Sequence, residues 1–337
     1  MKKLLLSFLL LMAGTLMSQA QDLKFHPNGE FKIVQFTDVH YILDDPRATP
    51  ALRNIDAILD AEHPDLVVVT GDVIFGAPGK ETFKKVADQI NKHNIPFVML
   101  FGNHDKEFGK CERAVLYDAA RSDKNNIQPD RKGVDSPDYV LRIKASNSKN
   151  DAALVYCFDS HDYPAMKNMG TYDWMTNDQV QWYRKESATL TKENNGQPLP
   201  AVAFFHIPLP EFHEAALDPH GKLIGTRMEN ECPPDVNSGL YLAMKESGDV
   251  MGVFCGHDHD NDYATIWHDI MLAYGRYTGG NTVYNHLPRG ARIIVLKEGT
   301  RTFDTYVREQ KGNIVNRISY PKTFISDEAE KRPIETE

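Results

Sequence analysis

Cysteine is scarce in this sequence, which has four cysteines in 337 residues. No two of them have the short Cys-x-x-Cys spacing, so the sequence predicts no structural zinc site made of thiolates. The spacing leaves any disulfide pairing of Cys111, Cys157, Cys232 and Cys255 open. Cys157 and Cys255 lie in apolar runs typical of strands, and we expect both to be buried thiols.

The sequence has no excess of positive charge, and it also lacks one common hydrolase motif. The chain has 38 Lys and Arg residues against 47 Asp and Glu residues, a net charge of −9. It has no stripe of basic residues interleaved with aromatic ones, so duplex nucleic acid is excluded as an expected partner. No Gly-x-Ser-x-Gly motif is present, which argues against a Ser-His-Asp hydrolase.

Long apolar runs are missing after the first residues. Lys2 and Lys3 precede the apolar segment Leu4–Met17, and the small-residue segment Ser18–Ala20 follows it. A membrane-spanning helix needs about 20 apolar residues, whereas this pattern is typical of a signal peptide, residues 1–20. No cysteine follows the apolar segment, so a lipid anchor is not predicted. We expect a secreted protein, periplasmic or extracellular, with no transmembrane segment in its mature form.

The rest of the chain predicts one large α/β domain. Residues 21–320 contain no internal repeat and no low-complexity linker that would divide them. Residues 321–337 are rich in charge and lack apolar periodicity, which predicts a flexible tail. No feature of the sequence specifies an oligomeric state.

Apolar strands alternate with amphipathic helices in the first part of this domain. Phe31–Phe36 and Leu66–Thr70 are typical of strands, and a third apolar run ends at Phe101. A helix with Thr49 as its predicted cap and Pro50 in its first turn lies between the first two strands. This β-α-β-α-β order predicts a parallel sheet with helices on both faces, where ligands bind at the carboxyl ends of the strands.

More strands are predicted downstream. Ala201–Phe205 and Val250–Cys255 are apolar throughout, as buried strands are. Beyond them, short runs flank Asp269, and two longer runs occupy residues 291–296 and 302–307. The alternation in these runs is typical of antiparallel strands.

Polar residues directly follow five of the predicted strands. Each strand end delivers imidazole, carboxylate or amide groups, and none delivers Lys or Arg. We expect all of them to line one rim of the sheet, where like charges would gather unless a cation neutralised them. These residues are Asp38, His40, Asp72, Asn103, His104, Asp105, His206, His257 and His259. The sequence therefore predicts a metal site at this rim.

The donor types indicate the class of metal. Imidazole and carboxylate with one amide oxygen and no thiolate suit zinc, manganese or iron, whereas calcium prefers oxygen donors alone. A catalytic zinc keeps about three protein ligands, and the candidates outnumber what one ion takes. Two divalent or trivalent ions are therefore predicted.

The strand ends resemble the motifs of the calcineurin-like metallophosphoesterase superfamily. The matching motifs, in chain order, are Asp38-x-His40, Gly71-Asp72, Gly102-Asn103-His104-Asp105, His206 and Gly256-His257-x-His259. The resemblance spans residues 31–296 and is closest to the branch related to purple acid phosphatases. It implies an α/β fold in which a β-sandwich of two mixed sheets is flanked by helices. The implied dinuclear metal site lies at the carboxyl-terminal ends of the strands.

The resemblance also implies a role for each residue. The implied ligands are Asp38, His40 and His259 for the first ion, Asp72 for both ions, and Asn103, His206 and His257 for the second. His104 would be a catalytic general acid or a donor to the phosphoryl oxygens, and Asp105 would orient its imidazole. A hydroxide that bridges the two ions would attack phosphorus in line.

Two positions depart from purple acid phosphatases, which have Gly where His40 stands and Tyr where Phe75 stands. The purple colour is therefore not expected, and the native metals stay open among manganese, zinc and iron. Arg276 and Asn261 are further candidates for substrate binding. A guanidinium such as that of Arg276 can bind phosphate with two hydrogen bonds, and a structural role is the alternative.

These features predict a secreted, metal-dependent phosphoesterase that acts on a small phosphorylated substrate. The resemblance favours phosphomonoesters. One alternative is a phosphodiesterase or pyrophosphatase that acts on nucleotides or lipid headgroups. Another is a metal-bearing binding protein without turnover, against which the complete set of ligands and His104 argue.

Overall fold

The computed structural model describes residues 23–325. Its strands are β1 (Glu30–Phe36), β2 (Leu66–Thr70), β3 (Phe97–Leu100), β4 (Tyr139–Lys144), β5 (Asp151–Cys157), β6 (Ala201–Phe204), β7 (Val250–Cys255), β8 (Ala264–Trp267), β9 (Ile270–Tyr274), β10 (Gly290–Lys297), β11 (Phe303–Glu309) and β12 (Ile314–Tyr320). Its α-helices are α1 (Thr49–Glu62), α2 (Gly79–Asn91), α3 (His104–Gly109), α4 (Arg113–Arg121), α5 (Asn177–Glu193), α6 (Glu211–Leu217) and α7 (Leu240–Ser247).

The strands form two mixed sheets of six strands each. The first sheet has the order β12-β11-β10-β1-β2-β3, and the second has the order β4-β5-β6-β7-β9-β8. Neighbours are parallel from β1 to β3 and from β5 through β6 and β7 to β9. The other neighbours are antiparallel, which confirms the prediction for β8 with β9 and for β10 with β11.

The five strands that carry the polar residues lie in two sheets and not in one. β1, β2 and β3 belong to the first sheet, and β6 and β7 belong to the second. The strand pattern suggested a single sheet. Buried parallel strands are apolar throughout in any sheet, so the pattern does not distinguish one sheet from two. The two mixed sheets implied by the family resemblance are confirmed. The Gln35 side chain of β1 links the two sheets near the rim by donating to the Cys255 carbonyl, at 2.9 Å.

Apolar layers hold the two sheets and the helices together. Between the sheets, Ile33 and Val68 of the first pack in one cluster with Val202 and Met271 of the second. Helices α1, α2 and α4 cover the outer face of the first sheet, and α5, α6 and α7 cover that of the second. A fully buried valine, leucine or isoleucine contributes roughly 1.5–3 kcal/mol. These layers therefore give the rim a rigid base.

Helix α1 begins one residue away from its predicted cap. The sequence predicts Thr49 as the cap, but Ala48 occupies the N-cap position and Thr49 is the first helical residue. Pro50 is accommodated because the first turn of a helix has no partner for its backbone N–H groups. The last helical residue is Glu62, and His63 caps the carboxyl end of the helix in the left-handed conformation.

The four cysteines are free, and Cys157 and Cys255 are buried as predicted. No helix within residues 23–325 is long and apolar enough to cross a membrane. The predicted signal peptide, residues 1–20, and residues 326–337 of the predicted tail lie outside the described residues. The start of that tail forms a short 3-10 helix, Lys322–Phe324, and Phe324 packs against the layer between the sheets.

Candidate metal centre

The chain turns sharply at the predicted metal ligands that follow β1, β2 and β7. Asp38, His40, Asp72 and His257 have φ angles of +53°, +44°, +47° and +80°. Few residues other than glycine adopt this left-handed region, which costs on the order of 1–3 kcal/mol and persists only where neighbours fix it. Backbone hydrogen bonds fix it here, since Asp38 N donates to Gly71 O at 3.1 Å and His40 N donates to Asp72 O at 2.9 Å.

Two glycines allow the ends of β2 and β3 to approach each other closely. A Cβ atom at Gly102 would collide with the carboxylate of Asp72. Gly71 has a φ of +83°, and a Cβ atom there would lie 2.6 Å from the backbone nitrogen of Gly102. Both positions therefore need glycine, because only glycine lacks the Cβ and tolerates positive φ without strain.

A first cluster of buried side chains could hold a metal ion. Its members are Asp38, His40, Asp72 and His259, whose ligand atoms all lie within 4.8 Å of one another. His40 Nε2 is 3.0 Å from His259 Nε2 and 3.6 Å from Asp72 Oδ2. His259 Nε2 is 3.7 Å from Asp38 Oδ1. Donor atoms from both sheets therefore converge on one point.

A second cluster shares Asp72 with the first. Its members are Asp72, His206 and His257. Asp72 Oδ2 is 3.3 Å from His206 Nε2, and this same oxygen faces His40 of the first cluster. His257 Nδ1 is 3.3 Å from His206 Nε2. One carboxylate oxygen thus lies between two sets of donors, which is the position of a bridging ligand.

Asn103 is the remaining predicted ligand, and its amide is held at one end. Its Nδ2 atom donates to the Tyr163 hydroxyl at 3.1 Å, which fixes the orientation of the amide. Its Oδ1 atom is buried and has no hydrogen-bond partner among the described residues. A buried polar atom without a partner is costly, and a metal ion would satisfy it.

Backbone and side-chain groups hold the candidate ligands in place. His206 Nδ1 donates to the Thr70 carbonyl at 2.8 Å, and His259 Nδ1 donates to the Tyr284 carbonyl at 3.0 Å. Each bond occupies Nδ1, so Nε2 is the nitrogen that is available to a metal. Thr37 Oγ1 donates to Asp38 Oδ2 at 2.8 Å. The arrangement therefore resembles metal ligands that are supported by outer-shell hydrogen bonds.

His104 lies beside the clusters and is more exposed than the candidate ligands. Its side chain is 27% exposed, whereas that of His40 is fully buried. The two ring centroids are 5.7 Å apart. His104 Nδ1 is 2.9 Å from Glu107 Oε2, so a carboxylate holds one ring nitrogen. The imidazole can therefore contact a substrate that enters from solvent.

Asp105 does not orient His104, and this expectation is corrected. The Asp105 carboxylate accepts hydrogen bonds from the backbone N–H groups of Val73, Ile74 and Gly102, at 2.8, 3.0 and 2.8 Å. The reason is local geometry, because the turn after β2 offers unpaired N–H groups within reach of the buried carboxylate. Asp105 therefore fastens the turn that carries the bridging position to the end of β3.

The comparison with known families decides the family of the chain. A family model described as calcineurin-like phosphoesterase matches residues 31–261. The chain belongs to the calcineurin-like phosphoesterase family. Probable inactive purple acid phosphatase 29 of Arabidopsis thaliana is 33% identical over 316 residues, which cover 83% of this chain and 80% of the relative. Phosphatase DCR2 of Saccharomyces cerevisiae is 30% identical over 291 residues, which cover 76% of this chain and 49% of DCR2.

Solved structures with the same fold include two phosphatases. A dimetal phosphatase from Danio rerio superposes with a TM-score of 0.58 and 16% identity, over 86% of this chain and 98% of that one. The purple acid phosphatase PPD1 of yellow lupin superposes with a TM-score of 0.53 and 11% identity, over 86% of this chain and 53% of that one. At these identities the likeness shows the fold of the phosphoesterase and no more.

The electrostatics of this phosphoesterase favour neutral imidazoles in the site. Burial lowers the pKa of His40 and of His257 well below the usual histidine value, and neighbouring imidazoles lower both further. Burial lowers the pKa of His259 to about 4. Neutral imidazole is the form that binds metal. The family and the buried His and Asp clusters together suggest a dinuclear metal site.

His206 and Asp38 differ from these three rings. Burial alone would lower the pKa of His206, but the charges of Asp72 and Asp38 and a hydrogen bond to Asp72 outweigh it and raise the pKa to about 9. Burial raises the pKa of Asp38 to about 7. In the protein alone, protons on His206 and Asp38 thus take the place where cations would balance the charge. The donor set therefore fits two metal ions.

Arg276 and Asn261 make their hydrogen bonds to other parts of the protein, and both expectations of substrate binding are corrected. Arg276 is buried, with Nε 3.1 Å from Asp262 Oδ2 and Nη1 2.6 Å from the Pro288 carbonyl. The Asn261 Oδ1 atom accepts from Met228 N at 3.1 Å. The reason in both cases is that a buried polar group must find partners inside the protein. Both residues therefore support the loops around the site.

The residues at the site that sequence reasoning missed include Glu107, Tyr163, Tyr172 and Tyr284. The Tyr172 ring is 4.4 Å from the His257 ring, and the Tyr284 ring is 4.5 Å from the His259 ring, between centroids. The sequence alone could have identified Glu107 as a partner of His104, because it follows His104 by three residues on α3, a spacing at which helical side chains meet. The tyrosines lie outside the regular elements, where no periodic pattern marks them.

Proposed function

We propose that this phosphoesterase is an active, dinuclear metal-dependent enzyme that hydrolyses small phosphomonoesters. The observation that carries the proposal is the single Asp72 oxygen, Oδ2, which lies 3.6 Å from His40 Nε2 and 3.3 Å from His206 Nε2. A carboxylate shared by two buried donor sets is what two neighbouring ions require. A solvent-accessible imidazole, His104, stands beside them.

The proposed ligands follow from the two clusters. Asp38, His40 and His259 would hold the first ion, Asp72 would bridge, and Asn103, His206 and His257 would hold the second. When bound, two such ions would polarise the phosphoryl oxygens and lower the pKa of a bound water molecule to near neutral pH. Manganese, zinc and iron all suit this set of nitrogen and oxygen donors.

His104 would act on the substrate directly. Glu107 holds its Nδ1 atom at 2.9 Å, which leaves Nε2 free to face the phosphoryl group. There the imidazolium form of His104, with a proton on each ring nitrogen, would donate from Nε2 a hydrogen bond to a phosphoryl oxygen or a proton to the departing oxygen, a role that contributes typically 10²–10⁴-fold in rate. Its partial exposure supports this role, because the more deeply buried ligands are not open to a substrate.

Initial rates would test the proposal. The protein is stripped of metal with a chelator, reloaded separately with manganese, zinc and iron, and assayed on an aryl phosphate monoester and the matching diester. A higher kcat/KM for the monoester is expected. Preference for the diester, or for pyrophosphate as a third substrate, would replace the phosphomonoesterase by the phosphodiesterase or pyrophosphatase alternative and leave the metal ligands in place.

A binding protein without turnover is the second candidate. The names of three similar Arabidopsis thaliana proteins describe them as probable inactive purple acid phosphatases. Against inactivity here stand the two donor clusters and the placement of His104 beside them. Metal analysis on the assayed samples separates the two candidates: two bound metals without release of phosphate from any ester would favour the binding protein.

Export of the mature protein is a further part of the proposal. Its support is the pattern of residues 1–20, with two lysines before an apolar segment and small residues after it. Expression of the full chain with a C-terminal tag, followed by mass spectrometry of the product, would test it. Cleavage after Ala20 is expected. An intact N-terminus in the product would contradict it.

A further inference from the structure

Three hydrogen bonds connect a tyrosine, a glutamate and two residues of the metal centre. Asn103 Nδ2 donates to the Tyr163 hydroxyl at 3.1 Å. The Tyr163 hydroxyl donates to Glu107 Oε2 at 2.8 Å. The same oxygen, Glu107 Oε2, is 2.9 Å from His104 Nδ1. We call these four residues the Tyr163 network.

We propose that Glu107 and Tyr163 are positioning residues for phosphoester hydrolysis: Glu107 fixes the His104 imidazole, and Tyr163 fixes both Glu107 and the Asn103 amide. Neither residue belongs to the motifs that carry the family resemblance. The proposal rests on the proposed function, since positioning of His104 matters only if His104 acts on a substrate.

Glu107 determines which nitrogen of His104 is free. An ionised carboxylate has acceptors only, so the Nδ1 atom that faces Glu107 must carry a proton. The Nε2 atom lies on the opposite edge of the ring, away from Glu107, and carries a second proton when His104 acts as a donor. A carboxylate partner of this kind fixes the ring direction of a functional histidine.

Tyr163 determines which end of the Asn103 amide faces the cluster. The hydroxyl accepts from Nδ2, so the opposite atom, Oδ1, is left without a protein partner and is buried. The hydroxyl can do this because it gives its own proton to Glu107 and retains lone pairs to accept. One hydroxyl therefore sets the orientation of a candidate ligand and of the His104 partner.

The network joins segments that belong to different sheets. Asn103, His104 and Glu107 follow β3 of the first sheet, whereas Tyr163 follows β5 of the second. The Tyr163 ring also lies roughly parallel to the Tyr172 ring, with centroids 6.1 Å apart. Tyr172 in turn packs edge-on against His257, at 4.4 Å. The loop after β5 therefore contacts candidate ligands that come from both sheets.

The first test is a double-mutant cycle on turnover. Glu107→Ala is expected to lower kcat by roughly 10–100-fold, the usual effect of losing a partner of a functional group, with a smaller change in KM. In a His104→Ala background the same substitution is expected to change kcat less than about threefold, because residues that act as a unit are not additive. An equal loss in both backgrounds would overturn the role of Glu107.

Two glutamate variants sharpen this test. Glu107→Gln retains an oxygen that can accept from His104 Nδ1, so it should retain more activity than Glu107→Ala. Glu112→Ala is the matched control: Glu112 is a nearby exposed glutamate that pairs with Lys106 at 3.3 Å, and its removal should leave kcat unchanged. Equal losses in Glu107→Gln and Glu107→Ala would also contradict positioning by hydrogen bonding.

The second test reads metal binding and not turnover. Tyr163→Phe frees the Asn103 amide, so the affinity for one of the two metals should fall by roughly 10-fold. Metal-to-protein ratios after dialysis against graded chelator measure this change. Tyr306→Phe is the control, because it removes a similar Tyr–Glu hydrogen bond, to Glu62 Oε2 at 2.7 Å, between β11 and the end of α1. Equal metal retention in both variants would overturn the role of Tyr163.

The two tests distinguish failure of this inference from failure of the proposed function. Wild-type protein that binds two metals but releases no phosphate would refute the proposed function, and the role of Glu107 would fall with it. The metal affinity of Tyr163→Phe would still decide the role of Tyr163. Wild-type turnover combined with additive losses would refute only the positioning role.

Discussion

Two tyrosine–glutamate pairs flank the metal centre, and they contact it in different ways. On one side, the Tyr163 hydroxyl donates to Glu107 and accepts from Asn103, a candidate ligand. We call Asn103, His104, Glu107 and Tyr163 the Tyr163 side. The three hydrogen bonds that connect these four residues are made by side-chain atoms, so each depends on which residue stands there.

On the other side, Tyr284 donates its hydroxyl to Glu229 Oε2 at 2.8 Å. The atom that holds the candidate ligand His259 is, however, the main-chain carbonyl of Tyr284, at 3.0 Å. We call Glu229, His259 and Tyr284 the Tyr284 side. A carbonyl is present in every residue, so this side depends on where the backbone runs. The comparison teaches that two similar tyrosine–glutamate pairs beside one metal centre need not contribute equally to metal binding.

Substitution of Asp72 is expected to affect metal binding on both sides equally. Asp72→Asn removes the charge that both donor clusters share, so both metals should be lost and kcat should fall by more than about 100-fold. Metal content and initial rates of the same sample measure this. Asp118→Asn, an exposed carboxylate that pairs with Arg131, is the control. Full occupancy by both metals in Asp72→Asn would remove the bridging assignment.

Loss of His104 should disable the Tyr163 side alone. His104→Ala is expected to lower kcat by roughly 10²–10⁴-fold, the usual contribution of a general acid. The metal content should stay close to that of the wild type, because the ligands of both clusters are intact. Parallel loss of metal and turnover would instead make His104 a ligand.

Loss of Arg276 should weaken the support of the Tyr284 side. Arg276 is paired with Asp262, which follows His259 by three residues, and both side chains are nearly inaccessible to solvent. Arg276→Ala would remove the ion-pair partner of the buried Asp262 carboxylate, which keeps only hydrogen bonds from Thr226 N and Asn316 Nδ2, so we expect the free energy of unfolding to fall by about 3–5 kcal/mol. Denaturant titration measures this. A stable variant with a raised KM would restore Arg276 as a substrate-binding residue.

Replacing each tyrosine by phenylalanine should affect metal binding less on the Tyr284 side than on the Tyr163 side. Tyr284→Phe retains the carbonyl that holds His259 and loses only the bond to Glu229. We expect metal affinity and kcat to change less than about threefold, against roughly 10-fold in metal affinity for Tyr163→Phe. Chelator titration of both variants checks this. A larger loss in Tyr284→Phe would reverse the order of the two sides.

The smallest expected effect is an absence of colour. The Phe75 ring lies 5.2 Å from the His40 ring and 5.3 Å from the His104 ring, between centroids, and it offers no phenolate to a metal. Iron-loaded protein should therefore show no intense visible absorption band. A purple sample would contradict this interpretation of position 75.

The sequence predicted which side chains would gather at the strand ends, because their signals are local. A polar residue that directly follows a buried strand lies at the edge of the sheet, so the pattern alone places Asp38, Asp72 and His206 at the carboxyl ends of the strands. The fold brings them together with their neighbours in two clusters. The i,i+3 spacing of His104 and Glu107 is also a local signal, but the adjacent Asp105 was the more obvious partner in the sequence.

The predictions that failed depended on distant partners. Arg276 is paired with Asp262, and Asn261 with the backbone of Met228, because the surrounding elements bury both side chains. Tyr163 stands 60 residues from Asn103 in the chain, and no periodicity links the two. Such contacts follow from how the loops after different strands meet, and a single sequence does not encode that in a readable pattern.

The sequence by itself determined the order of the first three strands and the two helices between them, the donor types at the strand ends and the family, since apolar periodicity and residue types act over a few neighbouring positions. Only the tertiary structure decided that the strand ends belong to two sheets, that one oxygen of Asp72 faces both donor sets, and that Glu107 holds His104. The physical reason is that these properties are distances between segments remote in sequence, and packing of the apolar layers fixes such distances.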